Sequence, residues 1–406
     1  MRKINTRSFV RATRSTPREI NRQILLNLVR EHQPISRADL ARRMRVGRGM
    51  ITALVTELLA DGSIYEGSTI SAPRGRKPMM LYVRTHDRLV VAVDVRFSLT
   101  YLMLCDLNAT PIALETFETV VEPAELIAIL ARRIPRLLRT HRAAGECTGI
   151  GLVVPGMVDQ ATGRVLHAPQ LGWRDVDVRD ALADATGLEV QIENAPIACA
   201  LSKMWLGERD EDPPRDFVYV TVSDGIGAGV VVNGEVVRGH DSSAGEFGHL
   251  MVDPRGPECL CGSRGCVEAY ASNLATLSRY LGHEFSPTTT RELLHESGIA
   301  ITDVIARARA GDRRAAEALD VTANYLASGL SAIVNTLNPG RIFVGGEITE
   351  AWDHLAPIMQ RVVAERALTS RAAATPLVPD PANTYPRLRG AIALVAAPLF
   401  AAPRVA

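Results

Sequence analysis

One stretch constrains this chain more than any other: Glu246-Phe-Gly-His249-Leu-Met-Val-Asp-Pro-Arg-Gly-Pro-Glu-Cys259-Leu-Cys261-Gly-Ser-Arg-Gly-Cys266-Val-Glu268. It sets one histidine and three cysteines within eighteen residues. Zinc takes four nitrogen or sulfur ligands in a tetrahedron, and three cysteines with one histidine are a standard structural set. Cys259 and Cys261 can hold one side of an ion. Gly262 and Gly265 allow the sharp turn that brings Cys266 back to it, and His249 comes from the preceding segment as the fourth ligand. The alternative is a surface loop with free thiols or a disulfide. Three cysteines cannot pair among themselves, and their spacing beside glycines and a histidine favours a metal. The expected cofactor is a structural Zn2+.

A chain of 406 residues has room for two or three domains, and 47% hydrophobic residues supply a sizeable core, so the metal is not needed to replace one. No run of eighteen apolar residues occurs, so no transmembrane helix is expected. Met1 to Arg18 is basic but lacks the apolar stretch of a signal peptide. Six cysteines, three of them clustered, point to a reducing cytoplasm. Cys105, Cys147 and Cys199 lie in apolar surroundings and read as core residues.

The net charge of +1 hides an asymmetry: residues 1–90 hold 18 Lys/Arg against 7 Asp/Glu. A basic end on an acidic body suggests that this end meets a polyanion, against the blander alternative of a solvated basic face. Residues 1–16 are polar and aperiodic, as in a flexible basic arm. From Arg18 the pattern becomes helical, with Ile20, Ile24, Leu25 and Leu28 on one face. Ser36-Arg-Ala-Asp39 resembles a capping box with aspartate in place of glutamate, and a short second helix follows. Arg45-Val46-Gly47 makes a turn before a third helix, Arg48 to Ala60. Three short helices with a glycine in the second turn read as helix-turn-helix. In that geometry the start of the third helix meets base edges, which nominates Arg48, Met50 and Thr52. Two short strands, Ser63–Glu66 and Met79–Val83, flank Ser71-Ala-Pro-Arg-Gly-Arg-Lys-Pro78. That segment suits a wing, with Arg74, Arg76 and Lys77 at a tip able to reach phosphates or a narrow minor groove.

After a linker at 84–88, strands are expected at Leu89–Val95, Leu99–Asp106, Ile112–Phe117, Thr148–Val154, Leu188–Ile192, Phe217–Val222 and Ala228–Val232, and a final one at Arg341–Val344. Helices are expected at Glu122–His141 and Ala198–Leu206, and over most of the chain from the metal stretch to Asn338. Alternating strands and helices give an α/β fold. Glycine turns at several strand ends mark where ligands sit in such folds.

These segments together resemble the ROK family, whose name joins repressors and sugar kinases. The resemblance covers almost the whole chain. Its most specific part is Gly245-Glu246-Phe-Gly-His249 followed by Cys259-Leu-Cys261-Gly-Ser-Arg-Gly-Cys266-Val-Glu268. Pro155-Gly156, Gln191-Ile-Glu193-Asn194, Gly225-Ile-Gly-Ala-Gly229 and Asn338-Pro-Gly-Arg-Ile-Phe-Val-Gly-Gly346 support it. The resemblance implies an N-terminal winged helix-turn-helix over 17–84, then a two-lobed actin-like (ribonuclease H-like) sugar-kinase fold over 89–406, with the zinc site at 249–266. It implies a homodimer or homotetramer without a membrane partner. It also implies that Asn194, Glu246, His249 and Glu268 bind sugar hydroxyls, for which paired carboxylate and amide hydrogen bonds are suited.

Three departures separate the chain from the kinases it resembles. Where they carry an aspartate as catalytic base, after the asparagine, this chain has Ala195, and phosphoryl transfer needs a residue to orient and deprotonate the nucleophile. Their first phosphate loop has two glycines, whereas Asp94-Val-Arg96-Phe97-Ser98 has none. Asp224 puts an acid in the second phosphate loop. The expectation is therefore no enzyme, but a cytoplasmic repressor on double-stranded operator DNA, controlled by a sugar or sugar phosphate. The alternative is an ATP-dependent sugar kinase with an appended DNA-binding domain. A zinc hydrolase is excluded because four protein ligands leave no open position.

Overall fold

The computed structural model describes residues 16–67, 79–207, 215–286, 289, 290, 293 and 297–401. Of the expected arm only Thr16 is among them, and Arg74, Arg76 and Lys77 lie outside the described residues.

Helical spacing of apolar residues builds the N-terminal unit. Helices α1 (Thr16–His32), α2 (Arg37–Met44) and α3 (Arg48–Ala60) bury Leu25, Leu26, Val29, Leu40, Ile51, Leu54, Val55 and Leu58 in one core. At the start of α2 the Ser36 hydroxyl accepts the Asp39 backbone N–H at 3.2 Å and donates to the Asp39 carboxylate at 2.6 Å. That bond is the leading reason the Asp39 carboxyl is held below its usual range. The turn after α2 is made differently from the expectation. Arg45, not a glycine, takes the left-handed conformation at φ 55°, while Gly47 caps α3 in an extended one with no side-chain bond. A three-stranded sheet closes the unit. It contains the expected hairpin β2 (Ile64–Gly67) and β3 (Met80–Val83), with β1 (Ile35–Ser36) added antiparallel to β3. Two residues carry no periodicity, so β1 could not be read from the sequence.

The body contains two five-stranded sheets of the same design. In the first, β4 (Arg88–Val95), β5 (Leu99–Asp106) and β6 (Pro111–Glu118) form an antiparallel meander, and β7 (Glu146–Val154) and β11 (Val190–Asn194) add in parallel beside β4. In the second, β12 (Phe217–Val222), β13 (Ile226–Val232) and β14 (Glu235–Val236) form the meander, and β15 (Arg341–Gly345) and β16 (Leu377–Asp380) add in parallel beside β12. The spatial orders β6-β5-β4-β7-β11 and β14-β13-β12-β15-β16 are therefore equivalent. Two expectations are corrected. Arg341–Val344 is not the final strand, because β16 follows it. This strand is four residues long, contains Pro379 and lies at the sheet edge, where proline is tolerated and the strand pattern is weak. A small antiparallel sheet, β8 (Met157–Asp159), β9 (Arg164–Ala168) and β10 (Trp173–Asp177), fills a region for which no element was expected.

Two helices pass between the sheets. Helix Ala195–Leu206 follows β11 of the first sheet and packs on β12 and β13 of the second. Helix Pro386–Phe400 follows β16 of the second sheet and packs on β4 and β7 of the first. The approach is close enough to require glycine: a Cβ on Gly151 would stand 1.9 Å from the Ala391 carbonyl oxygen. Each lobe's last helix thus braces the other lobe's sheet.

Candidate ligand cavity and metal centre

Strand ends deliver the cavity residues. At the C-terminal end of β11, Asn194 caps helix Ala195–Leu206, its Oδ1 accepting the Ile197 N–H at 3.0 Å. Its amide nitrogen has no hydrogen-bond partner among the described residues, and the residue lines a cavity of about 290 Å³ between the lobes. Glu246, His249 and Glu268 line the same cavity, so four residues separated by up to 74 positions in the chain meet at one place. Ala195 and Pro196 add an apolar wall.

The cavity also has walls that the motifs did not reveal. Met157, His167 and Gln170 come from the small sheet and its loop, Thr221 and Ser223 from the end of β12, and Arg387 from the start of the last helix. His167 and Gln170 sat in an unassigned region, and Arg387 lies 119 residues beyond Glu268, so no local pattern linked them. Gly225 lets two cavity side chains come close to the backbone. A Cβ there would stand 2.7 Å from Gln170 Nε2 and 2.8 Å from Glu268 Oε2.

His249, Cys259, Cys261 and Cys266 present their ligand atoms within 4.8 Å of one another. The individual spacings fit a tetrahedral ion. Cys261 Sγ lies 3.7 Å from Cys266 Sγ, and Cys259 Sγ lies 3.5 Å from His249 Nδ1. Metal–sulfur and metal–nitrogen bonds of about 2.3 and 2.05 Å at tetrahedral angles give about 3.8 and 3.6 Å. The donor set, three thiols and an imidazole, can hold a metal ion. Burial pushes the Cys266 thiol up to about 11, and the Cys259 thiol higher. A bound dication supplies the opposing charge that lets such thiols ionise.

The His/Cys cluster and the cavity share a wall. The second ring nitrogen of His249, Nε2, lies 3.7 Å from Glu246 Oε2. Burial raises the Glu246 carboxyl above its usual range, opposed by His249 and reinforced by Glu268. Glu268, 8% exposed, accepts the Ile226 N–H at 2.8 Å through Oε2, while Oε1 lies 3.6 Å from Cys259 Sγ. It therefore ties the β12–β13 turn to the cysteine loop as well as facing the cavity.

Charged side chains crowd the turn after β4. Asp94, fully buried at the end of β4, lies 2.7 Å from Arg96 Nε and 2.7 Å from Arg387 Nη2. Arg96 crosses to Glu347 of the second lobe at 3.0 Å, and Glu347 accepts from Asn273 at 3.1 Å. A second bridge between the lobes joins Arg238 to buried Glu193. Burial raises the Glu193 carboxyl despite that partner.

On the N-terminal unit, Arg48, Met50 and Thr52 are exposed on α3. The two helices between the lobes reach this unit. Trp205 and Leu399 pack against its core, and Phe400 is part of it. The amides of Gln23 and Asn27 on α1 donate to the carbonyls of Leu399 and Phe400, each at 2.7 Å. Arg30 lies over the Phe400 ring at 4.5 Å and the Trp205 ring at 5.4 Å.

A two-lobed actin-like body of two equivalent sheets, preceded by a unit of three helices and a small sheet, defines a class of regulators whose body is shared with sugar kinases. The chain belongs to the ROK family, whose model matches residues 91–397. It is 30% identical over 369 residues to a putative xylose repressor of Caldicellulosiruptor sp., covering 87% of this chain and 90% of that one. A glucokinase of Halalkalibacterium halodurans is 34% identical over 230 residues, or 55% of this chain and 69% of the enzyme. Among solved structures, a ROK family transcriptional regulator described as a homolog of the Escherichia coli MLC protein superposes with a TM-score of 0.79. It is 27% identical, covering 95% of this chain and 97% of that one.

Proposed function

We propose that this protein is a transcriptional regulator of the repressor kind. It binds double-stranded operator DNA through the N-terminal unit, with an affinity set by a sugar or sugar phosphate in the cavity. One observation carries the reading. Both helices that begin at the cavity, with Asn194–Ala195 and Arg387, end on the N-terminal unit, with Trp205 and Phe400. A ligand that shifts one lobe against the other moves both helix starts, and their far ends hold the DNA-binding unit. In this reading the protein is cytoplasmic and acts as a homodimer or homotetramer on a pseudo-palindromic site. The wing residues Arg74, Arg76 and Lys77 contact the DNA backbone. Asn194, Glu246, His249 and Glu268 hold the sugar hydroxyls. Zn2+ on His249, Cys259, Cys261 and Cys266 fixes the ring that aims Nε2 at the ligand.

The test is a thermal-shift screen of hexoses, pentoses, amino sugars and their phosphates. A ligand at 100 times its dissociation constant adds about 2.7 kcal/mol of stability. Glu246→Ala is expected to abolish that shift and leave ligand-free operator binding unchanged; loss of both would mean that Glu246 serves folding instead. The Glu246 side chain is 35% exposed and makes no cap hydrogen bond to the short helix it precedes, which favours the first outcome.

The protein is further expected not to phosphorylate the sugar. Ala195 cannot accept the hydroxyl proton, and Arg96 fills the loop that would cradle phosphate. For that second reason Ala195→Asp alone is not expected to create activity. ADP release measured with ATP and the stabilising sugar should stay at the sugar-free background for both proteins, and turnover above it in the unmodified protein overturns this part of the reading.

A further inference from the structure

We infer that α3 reads thymine methyl groups in the major groove, so that the operator half-site is specified chiefly by apolar contact; this rests on the DNA-binding reading above. The exposed face of α3 is Arg48, Gly49, Met50, Thr52, Ala53 and Thr56. Two of these are hydroxyl residues, but both hydrogens are engaged within the helix. Thr52 Oγ1 donates to the Arg48 carbonyl at 2.9 Å, and Thr56 Oγ1 donates to the Thr52 carbonyl at 2.8 Å. Each therefore offers a methyl group and lone pairs, with no proton to give. Met50, 46% exposed, and Ala53 offer only apolar surface. Arg48 is the one side chain on this face with hydrogen-bond donors to give.

Base edges make the choice of partner. Guanine, cytosine and adenine present donors and acceptors in the major groove, and thymine alone adds a methyl group. Covering polar edges with Met50 and Ala53 would strip them of water without a replacement bond, at a cost in affinity. Covering thymine methyls costs nothing of this kind and gains apolar burial. The surroundings fit DNA. Each acid near the face has an arginine partner: Asp39 with Arg42, Glu57 with Arg18, Asp61 with Arg22 and Glu66 with Arg37. Arg43, Arg45 and Arg48, all exposed, form no ion pair among the described residues and remain for phosphates or a guanine. Beyond their chain neighbours and the helix's own backbone, no atom of the described residues lies within 4 Å of where a Cβ on Gly47 or Gly49 would stand, so the start of α3 can approach the groove closely.

The full chain is used to select duplexes from a random-sequence pool, and the enriched half-site is resynthesised with uracil in place of each thymine. The expected result is a half-site with at least two neighbouring thymines, and a loss of about fourfold in affinity for each contacted methyl removed. Met50→Ala, at an exposed position, is expected to fold normally and to show a smaller difference between the thymine and uracil sites. Equal binding of both sites by the unmodified protein overturns the inference, as does a Met50→Ala variant that keeps the full thymine preference. If no sequence is enriched at all, the DNA-binding reading fails and this inference with it. An enriched site indifferent to uracil sinks the inference alone.

Discussion

Phe400→Ala is expected to separate ligand binding from DNA control. Phe400 is 5% exposed in the core of the N-terminal unit, beneath the Arg30 guanidinium. Replacing a buried phenylalanine by alanine costs about 3–5 kcal/mol. That loss falls on the junction between the unit and the body, not on the cavity at the other end of the same helix. Ligand affinity in the absence of DNA should therefore stay within about twofold, while the transition that reports the N-terminal unit moves to lower temperature. Coupling free energies between sites are typically about 1–3 kcal/mol; here the coupling should fall close to zero. Titrating ligand by calorimetry with and without operator measures it directly, because linkage makes the effect reciprocal. A variant with full coupling would show that the signal does not pass through the last helix. The double variant Gln23→Ala, Asn27→Ala tests the same junction more gently, since it removes two hydrogen bonds worth about 1 kcal/mol each.

Why this junction escaped the sequence is a matter of distance along the chain. Helical spacing of Leu25, Leu54, Val55 and Leu58 was enough to fold the N-terminal unit on paper, because each of those helices carries its own stripe. Phe400 belongs to that core from 340 residues beyond α3, and nothing in its neighbourhood, Ala396 to Ala401, says which surface it meets. The cavity divides in the same way. Glu246, His249 and Glu268 stand in a stretch dense with glycine and cysteine, Asn194 in the short segment Gln191-Ile-Glu193-Asn194, and the structure brings them to one cavity. Arg387, His167 and Gln170 line it from segments whose composition is ordinary. Equivalent sheets in the two lobes were also not legible, since hydrophobic runs reveal strands but not their lateral order. The loss of glycine after Asp94 was visible; that Arg96 would turn inward and link Asp94 to Glu347 across the lobes was not, because the pairing depends on lobe closure. The missed β16 shows the opposite limit. Its proline argues against a strand everywhere except at a sheet edge, and edges cannot be located before the sheet is known.

The second large effect concerns the His/Cys cluster, where two substitutions separate the metal-holding and ligand-aiming duties proposed for it. Cys266→Ser removes one of the four donors at a fully buried position and is expected to abolish tight metal binding, measured as metal per chain after gel filtration. Backbone bonds also cross the loop, among them Val252 to Gly265, Cys259 to Ser263 and Gly265 to Pro257, at 2.8, 2.9 and 2.8 Å, but none of them fixes the His249 ring. Without the ion this loop loosens, the His249 ring loses the contact that fixes its orientation, and Leu260 and Cys261 no longer form a defined cavity wall. Losing two oriented hydrogen bonds at about 1–1.5 kcal/mol each lowers ligand affinity roughly 30- to 150-fold. His249→Cys makes the sharper comparison. Four cysteines are also a standard structural zinc set, so this variant is expected to keep its metal and its thermal stability. It lacks the ring nitrogen that lies 3.7 Å from Glu246, so it should lose the ligand response while ligand-free operator binding persists. A His249→Cys protein that holds metal and still binds ligand with full affinity would mean that His249 serves the metal alone. The cavity would then select its ligand through Asn194, Glu246 and Glu268 without the ring.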